Sequence, residues 1–137
     1  MARTVNITNA SGARYRGRAE MIASVDACLK SHKVKHAKID IILLSDRRIR
    51  TLNKQYLQHD YATDVITFPL DEQPLYGEIY VSLETARRQA NEYGVTVVNE
   101  LCRLAVHGAL HMLGYDDATL EDRAAMHKLE SKFITAG

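Results

Sequence analysis

Two histidines four residues apart, His107 and His111, stand in a stretch that reads as a helix from residue 97 to about 113. On a helix, residues i and i+4 lie one turn apart on the same face, so two imidazoles can be aimed at one point. Gly114 lets the chain reverse directly after that helix, and Asp117, six residues beyond His111, returns as a third donor. The pattern is H-x3-H-x5-D. Zinc in catalytic sites keeps three protein ligands and leaves a fourth position for water, whose pKa it lowers toward neutrality. Three donors within eleven residues therefore describe an open, hydrolytic centre for one Zn2+ per chain. The bland alternatives are a histidine pair that only packs or is solvated, and an Asp117 placed near a helix start for electrostatic reasons. His127 is a rival third donor, but sixteen residues from His111 it needs a tertiary coincidence.

The same histidine spacing occurs in H-E-x-x-H zinc proteases, whose general base is the Glu directly after the first His. Here that position is Gly108, which disfavours peptide hydrolysis. Glycine is expected instead to leave space over the metal for a bulky or anionic substrate. The general base is not identified by spacing, and Asp116 and His59 are the candidates. A histidine changes charge near neutral pH and can shuttle a proton. Asp116 also suits a second task, since a ligating imidazole needs a partner for its other ring nitrogen.

These residues need a frame. Val5-Asn6-Ile7 is a short strand candidate, followed by a helix from about Arg16 to Ser31 with Ala19, Ile22, Ala23, Val25, Cys28 and Leu29 as its apolar stripe. Ala37 to Leu44 reads as a strand buried largely on both faces, after which Ser45 can cap a helix running to about Tyr56. Thr63 to Leu70 and Tyr76 to Val81 form a hairpin with a longer loop at Asp71 to Pro74. Ser82, Thr96 and Thr119 then cap helices over about 83–93, 97–113 and 120–133. The order βαβαββααα predicts an α+β domain, a small mixed sheet of about four strands covered by about five helices, with a zincin-like metal helix.

The 137 residues suit a single domain, 46% apolar and 26% charged. Ile39 to Leu44, with Asp40 inside it, is the longest apolar run, far short of the roughly 20 residues a membrane span needs, and no signal-like stretch is expected after the N-terminus. Residence in the cytoplasm is the expectation. Cys28 and Cys102 have no paired spacing and are expected to be reduced core residues. The net charge of +1 hides an asymmetry: residues 1–54 carry 12 Lys and Arg against 4 acids, and residues 55–137 carry 6 against 13. The basic half could attract phosphates, or the two halves could simply attract each other.

With those residues in view, the chain resembles the YbeY family, bacterial metal-dependent endoribonucleases of ribosomal RNA maturation and ribosome quality control. The family hallmark is H-G-x-L-H-x-x-G-Y-D-H. Residues 107–117, His107-Gly108-Ala109-Leu110-His111-Met112-Leu113-Gly114-Tyr115-Asp116-Asp117, agree with it at ten of eleven positions, counting the free ones. Leu52-Asn53 with Tyr56, the segment Thr63 to Pro69, and Gly77-Glu78-Ile79 resemble the family's L-N-x-x-Y-R, T-D-V-L-S-F-P and G-D-I segments.

The resemblance implies RNA as substrate, ribosomal RNA and the small ribosomal subunit as partners, and neither DNA nor membrane. A non-catalytic ribosome-assembly factor with a structural metal is the alternative. Two positions depart from the pattern. Asp117 stands where the family has its third histidine, which makes the site one charge less positive, and requires either that the loop close nearer the metal or that a water bridge the gap. Leu57 stands where the family has an arginine. Arg47, Arg48 and Arg50 are candidates to take over its phosphate contact.

Overall fold

Where apolar residues alternate in the strands, two separate layers of helix find something to cover. The computed structural model describes residues 2–134 and orders them as β1 (Arg3–Asn9), α1 (Arg18–Ser31), β2 (Ala37–Leu44), α2 (Asp46–Leu57), β3 (Val65–Glu72), β4 (Leu75–Ser82), α3 (Leu83–Tyr93), α4 (Val97–Met112) and α5 (Leu120–Phe133). The four strands form one mixed sheet in the order β1-β2-β4-β3. β1, β2 and β4 are parallel, in the register Ile7↔Ile41↔Ile79, and β3 returns antiparallel on the outer edge of β4 with Val65 opposite Val81. The expected α+β class, strand number and helix number are all present.

Period-two alternation splits the sheet's apolar side chains between its faces. Ile39, Ile41 and Leu43 of β2 and Leu75, Ile79 and Val81 of β4 meet α1, α4 and α5 in the main core. Ile42, Leu44, Ile66, Phe68 and Tyr80 face the other way and are covered by Ile49 and Leu52 of α2. Only the second half of β2 is covered on both faces, because α2 reaches no further and Lys38 stays exposed. Four helices start on the expected hydroxyl caps: Ser45, Ser82, Thr96 and Thr119 each accept a hydrogen bond from the amide three residues on, at 3.0–3.3 Å.

Two boundaries differ from the sequence reading. α1 begins at Arg18, not Arg16, because Gly17 has a left-handed φ of 108° and lies so close to Val98 that a Cβ there would come within 2.9 Å of its Cγ1. The hairpin loop is shorter than expected, only Gln73 and Pro74, since an irregularity at Pro69 to Asp71 shifts the register and lets both strands continue.

Candidate metal centre

α4 carries the two histidines, and the turn after it brings the acid. Its last carbonyls are taken up by a tight reversal, with Gly114 N donating to His111 O and Tyr115 N to Leu110 O, both at 3.0 Å. Gly114 adopts a φ of 100°, which glycine does without strain. The Tyr115 hydroxyl then meets His32 Nε2 of α1 at 2.9 Å, and the Asp116 Oδ1 accepts from the amides of Asp117 and Ala118 at 2.7 and 3.1 Å. So tied, the loop points Asp117 back at the histidines.

His107 Nε2 and His111 Nε2 are 3.0 Å apart, Asp117 Oδ2 is 3.2 Å from the first, and Asp117 Oδ1 is 3.5 Å from the second. One donor atom from each of the three residues lies within 4.8 Å of the others, a cluster that could hold a metal ion; a tetrahedral zinc with ligand distances of about 2.0–2.1 Å would draw them to edges of about 3.3–3.4 Å. The loop brings the Asp117 carboxylate within 3.5 Å of both imidazoles, so the shorter side chain still reaches the histidine pair. All three groups are half-buried, with the fourth side open to a cavity.

The orientation of His107 is set by a residue that motif spacing did not reveal. Glu130 of α5, 4% exposed, lies with Oε2 at 2.6 Å from His107 Nδ1. The imidazole donates there, which leaves the Nε2 lone pair facing the other two donors. Burial opposes protonation of His107, but the hydrogen bond and charge of Glu130, with Asp117 and Asp64 adding to it, outweigh that and raise its pKa above the ordinary imidazole value. Arg103 holds Glu130 in turn, with Nη1 3.2 Å from Oε1. The sequence did contain a signal. Glu130 falls on the buried stripe of α5 with Met126 and Phe133, where an acid has no place unless it is paired.

The other sequence-designated residues divide. His59 and Leu57, both exposed, line the cavity beside the three donors together with Asn53, Thr63 and Thr67. Asn53 anchors that rim, donating from Nδ2 to Tyr61 O at 3.0 Å. Asp116 is occupied with backbone amides and lies against neither imidazole; Glu130 does that work for His107. His127 is exposed, next to Arg103 at 3.2 Å, and is outside the donor triangle.

Arg47, Arg48 and Arg50 are exposed on α2, on the sheet face away from α4, and Arg50 is paired with Asp60 at 2.9 Å. Gly108 is a correction. Its missing side chain leaves no room over the metal but lets α4 settle on β4, for a Cβ there would lie 2.7 Å from Ile79 Cγ2. Cys28 and Cys102 are buried and free, and burial pushes the Cys28 thiol up to about 12, so neither is a nucleophile or ligand at neutral pH.

Comparison with known proteins now decides the family. The model of the family described as Endoribonuclease YbeY matches residues 6–136. The chain belongs to the YbeY family. A YbeY relative from Chloroherpeton thalassium is 35% identical over 114 residues, covering 82% of this chain and 81% of that protein. One from Chlorobaculum parvum is 42% identical over 101 residues, covering 73% and 72%, and one from Anaeromyxobacter dehalogenans is 45% identical but only 54% of its length is covered. Among solved structures, the solution structure of TM1509 from Thermotoga maritima superposes with a TM-score of 0.64 at 29% identity, covering 96% of this chain and 87% of that one. Asp117, at the donor cluster, and Leu57, 45% exposed on the cavity rim, are the two positions at which the sequence departs from the motifs it otherwise resembles.

Proposed function

We propose that this chain is a metal-dependent endoribonuclease that cleaves phosphodiesters of ribosomal RNA in the cytoplasm, during maturation of the small ribosomal subunit, with zinc held by His107, His111 and Asp117. The observation that carries this reading is the donor cluster of His107, His111 and Asp117, one ligand atom from each within 4.8 Å of the others and backed by Glu130, in a member of a family whose relatives are named endoribonucleases. A divalent ion bound there supplies Lewis acidity toward a phosphate oxygen. The chain's own residues do the rest. Glu130 fixes the tautomer of His107, the Tyr115–His32 contact holds the ligand loop, and Asn53 holds the opposite rim. His59 is the side chain on that rim suited to accept the proton of the attacking hydroxyl, because its ring is exposed beside the donors whereas Asp116 is tied to two amides. No helix among the described residues is long and apolar enough to cross a membrane, in keeping with a substrate met in solution. Peptide hydrolysis has no support, since the residue after His107 is a buried glycine and not a carboxylate.

Incubating the zinc-loaded protein with structured ribosomal RNA, beside His111→Ala prepared identically, tests the reading. Defined fragments with the parent protein and at least a hundredfold slower cleavage with the variant are expected. Cleavage that survives the substitution would assign the activity to a contaminant and overturn it.

A further inference from the structure

Behind His107, away from the His59 rim, α3, α4 and α5 enclose a second cavity of about 430 Å3, within the roughly 300–1,000 Å3 range of ligand sites. At its wall stands Glu100, 2% exposed, whose Oε1 has no hydrogen-bond partner among the described residues. A buried acceptor left without a donor is expensive, and native proteins keep few of them. Its neighbours cannot satisfy it. Gln89 donates to Asp64 Oδ2 at 3.2 Å, and Arg103 is committed to Glu130, His127 and Ser131.

Two further groups line the same space. Tyr93, 61% exposed, offers an aromatic face of the kind on which bases stack. Arg123 is exposed, and among the described residues its guanidinium makes one long bond, Nε to Thr119 O at 3.4 Å. The cavity on the His59 side has no Lys or Arg in its lining. Among the described residues, Arg123 is therefore the uncommitted cation in the linings of the two cavities beside the donor cluster.

We propose that this cavity takes one guanine nucleotide of the RNA strand next to the cleaved phosphodiester, with its phosphate on Arg123, its ring against Tyr93 and its Watson–Crick edge on the Glu100 carboxylate. Guanine is the base that fits the ionised carboxylate, because N1–H and the 2-amino group present two donors side by side to a group that in that form only accepts. Adenine, cytosine and uracil each place an acceptor next to their donor on that edge. The inference rests on the endoribonuclease reading for its substrate, and its test is arranged to fail separately.

Binding of guanosine 5′-monophosphate and inosine 5′-monophosphate to the zinc-loaded full chain at about pH 8, where Glu100 is ionised, followed by NMR titration, reads the cavity without any cleavage. Inosine lacks only the 2-amino group. The parent protein is expected to bind the guanine nucleotide about tenfold tighter, Glu100→Gln to abolish that preference, and Arg123→Gln to weaken both nucleotides equally. Tyr93→Ala, at an exposed position that leaves folding intact, should likewise weaken both. Cleavage of short RNAs carrying guanine or inosine beside the cut should show the same ratio in kcat/KM. Equal binding of the two nucleotides, or a preference that persists in Glu100→Gln, overturns the proposal even if ribosomal RNA is cut. Preferential guanine binding without cleavage of any RNA would leave the cavity standing and overturn the endoribonuclease reading instead.

Discussion

Single side chains show their importance here through burial that their chemistry resists. Glu100 Oε1 has no donor among the described residues, and burial pushes the carboxyl up to about 7, with Arg103 opposing and the charges of Asp64 and Glu130 adding to the rise. In the unfolded chain the same group sits near 4.5, so between those values the folded state binds the extra proton. Stability from this residue is thus complete below about pH 4.5, lost as pH rises to about 7, and flat above. The difference between those two values corresponds to at most about 3–4 kcal/mol. Glu100→Gln removes this dependence. Its urea midpoint, relative to the parent, should climb between pH 4.5 and pH 8 and then level off; a constant difference across that range would mean that Glu100 finds a partner when ionised. Glu100 and Glu130 were also the residues hardest to see in advance. His107, His111 and Asp117 are close in sequence and share a spacing, so their meeting could be foreseen. Glu130 meets His107 only because α5 packs on α4, a tertiary fact that no local pattern encodes.

Elements were more legible than contacts between them. Hydroxyl caps and a glycine after α3 bound the helices because those signals act through the adjacent backbone. The length of the β3–β4 loop was not legible, since it depends on a register irregularity between partner strands. Nor was the role of Gly108, which depends on what α4 lies against. That helix crosses β4 by fitting small against large: Gly108 sits on Ile79, and Met112 covers Gly77 so closely that a Cβ on Gly77 would run into its thioether. Ile79 is fully buried and β-branched, so it has little freedom to turn aside. Gly108→Ala gains about 1 kcal/mol of helix propensity but should lose about 2–3 kcal/mol to overpacking, a net loss of about 1–2 kcal/mol. Because the neighbouring residue is His107, lifting the helix also spreads the donor triangle, and zinc affinity measured by chelator competition should fall about tenfold. Unchanged stability and affinity would show that α4 shifts along the sheet without penalty.

At the scale of the whole molecule, the parallel strands determine where its positive charge collects. β1, β2 and β4 all finish at one end of the sheet, and the segments that follow them carry Arg14, Arg16, Arg47, Arg48, Arg87 and Arg88. The donor triangle, by contrast, is surrounded by Asp64, Glu100 and Glu130. An RNA long enough to reach from that centre, where Arg123 is the uncommitted cation among the described lining residues, to the arginine-rich end of the sheet would gain further counterion release away from the proposed cleavage site. The arginines are not equivalent. Arg88 is 2.8 Å from Asp46 and Arg50 2.9 Å from Asp60, whereas Arg47 has no ion pair among the described residues and Arg48 only reaches Ala10 O at 3.4 Å. Replacing both Arg47 and Arg48 with Gln should therefore weaken binding of a single-stranded RNA at low salt and flatten log affinity against log salt by about 1.4, near 0.7 for each lost phosphate contact. Arg50→Gln should change that slope by less, because Asp60 already neutralises the guanidinium, and zinc content should be untouched in either variant, as no ligand lies on α2. A slope that does not move in the double variant would take α2 out of the RNA path and leave Arg14 and Arg16, which border a separate hollow with Arg87, as the place where the strand leaves the protein.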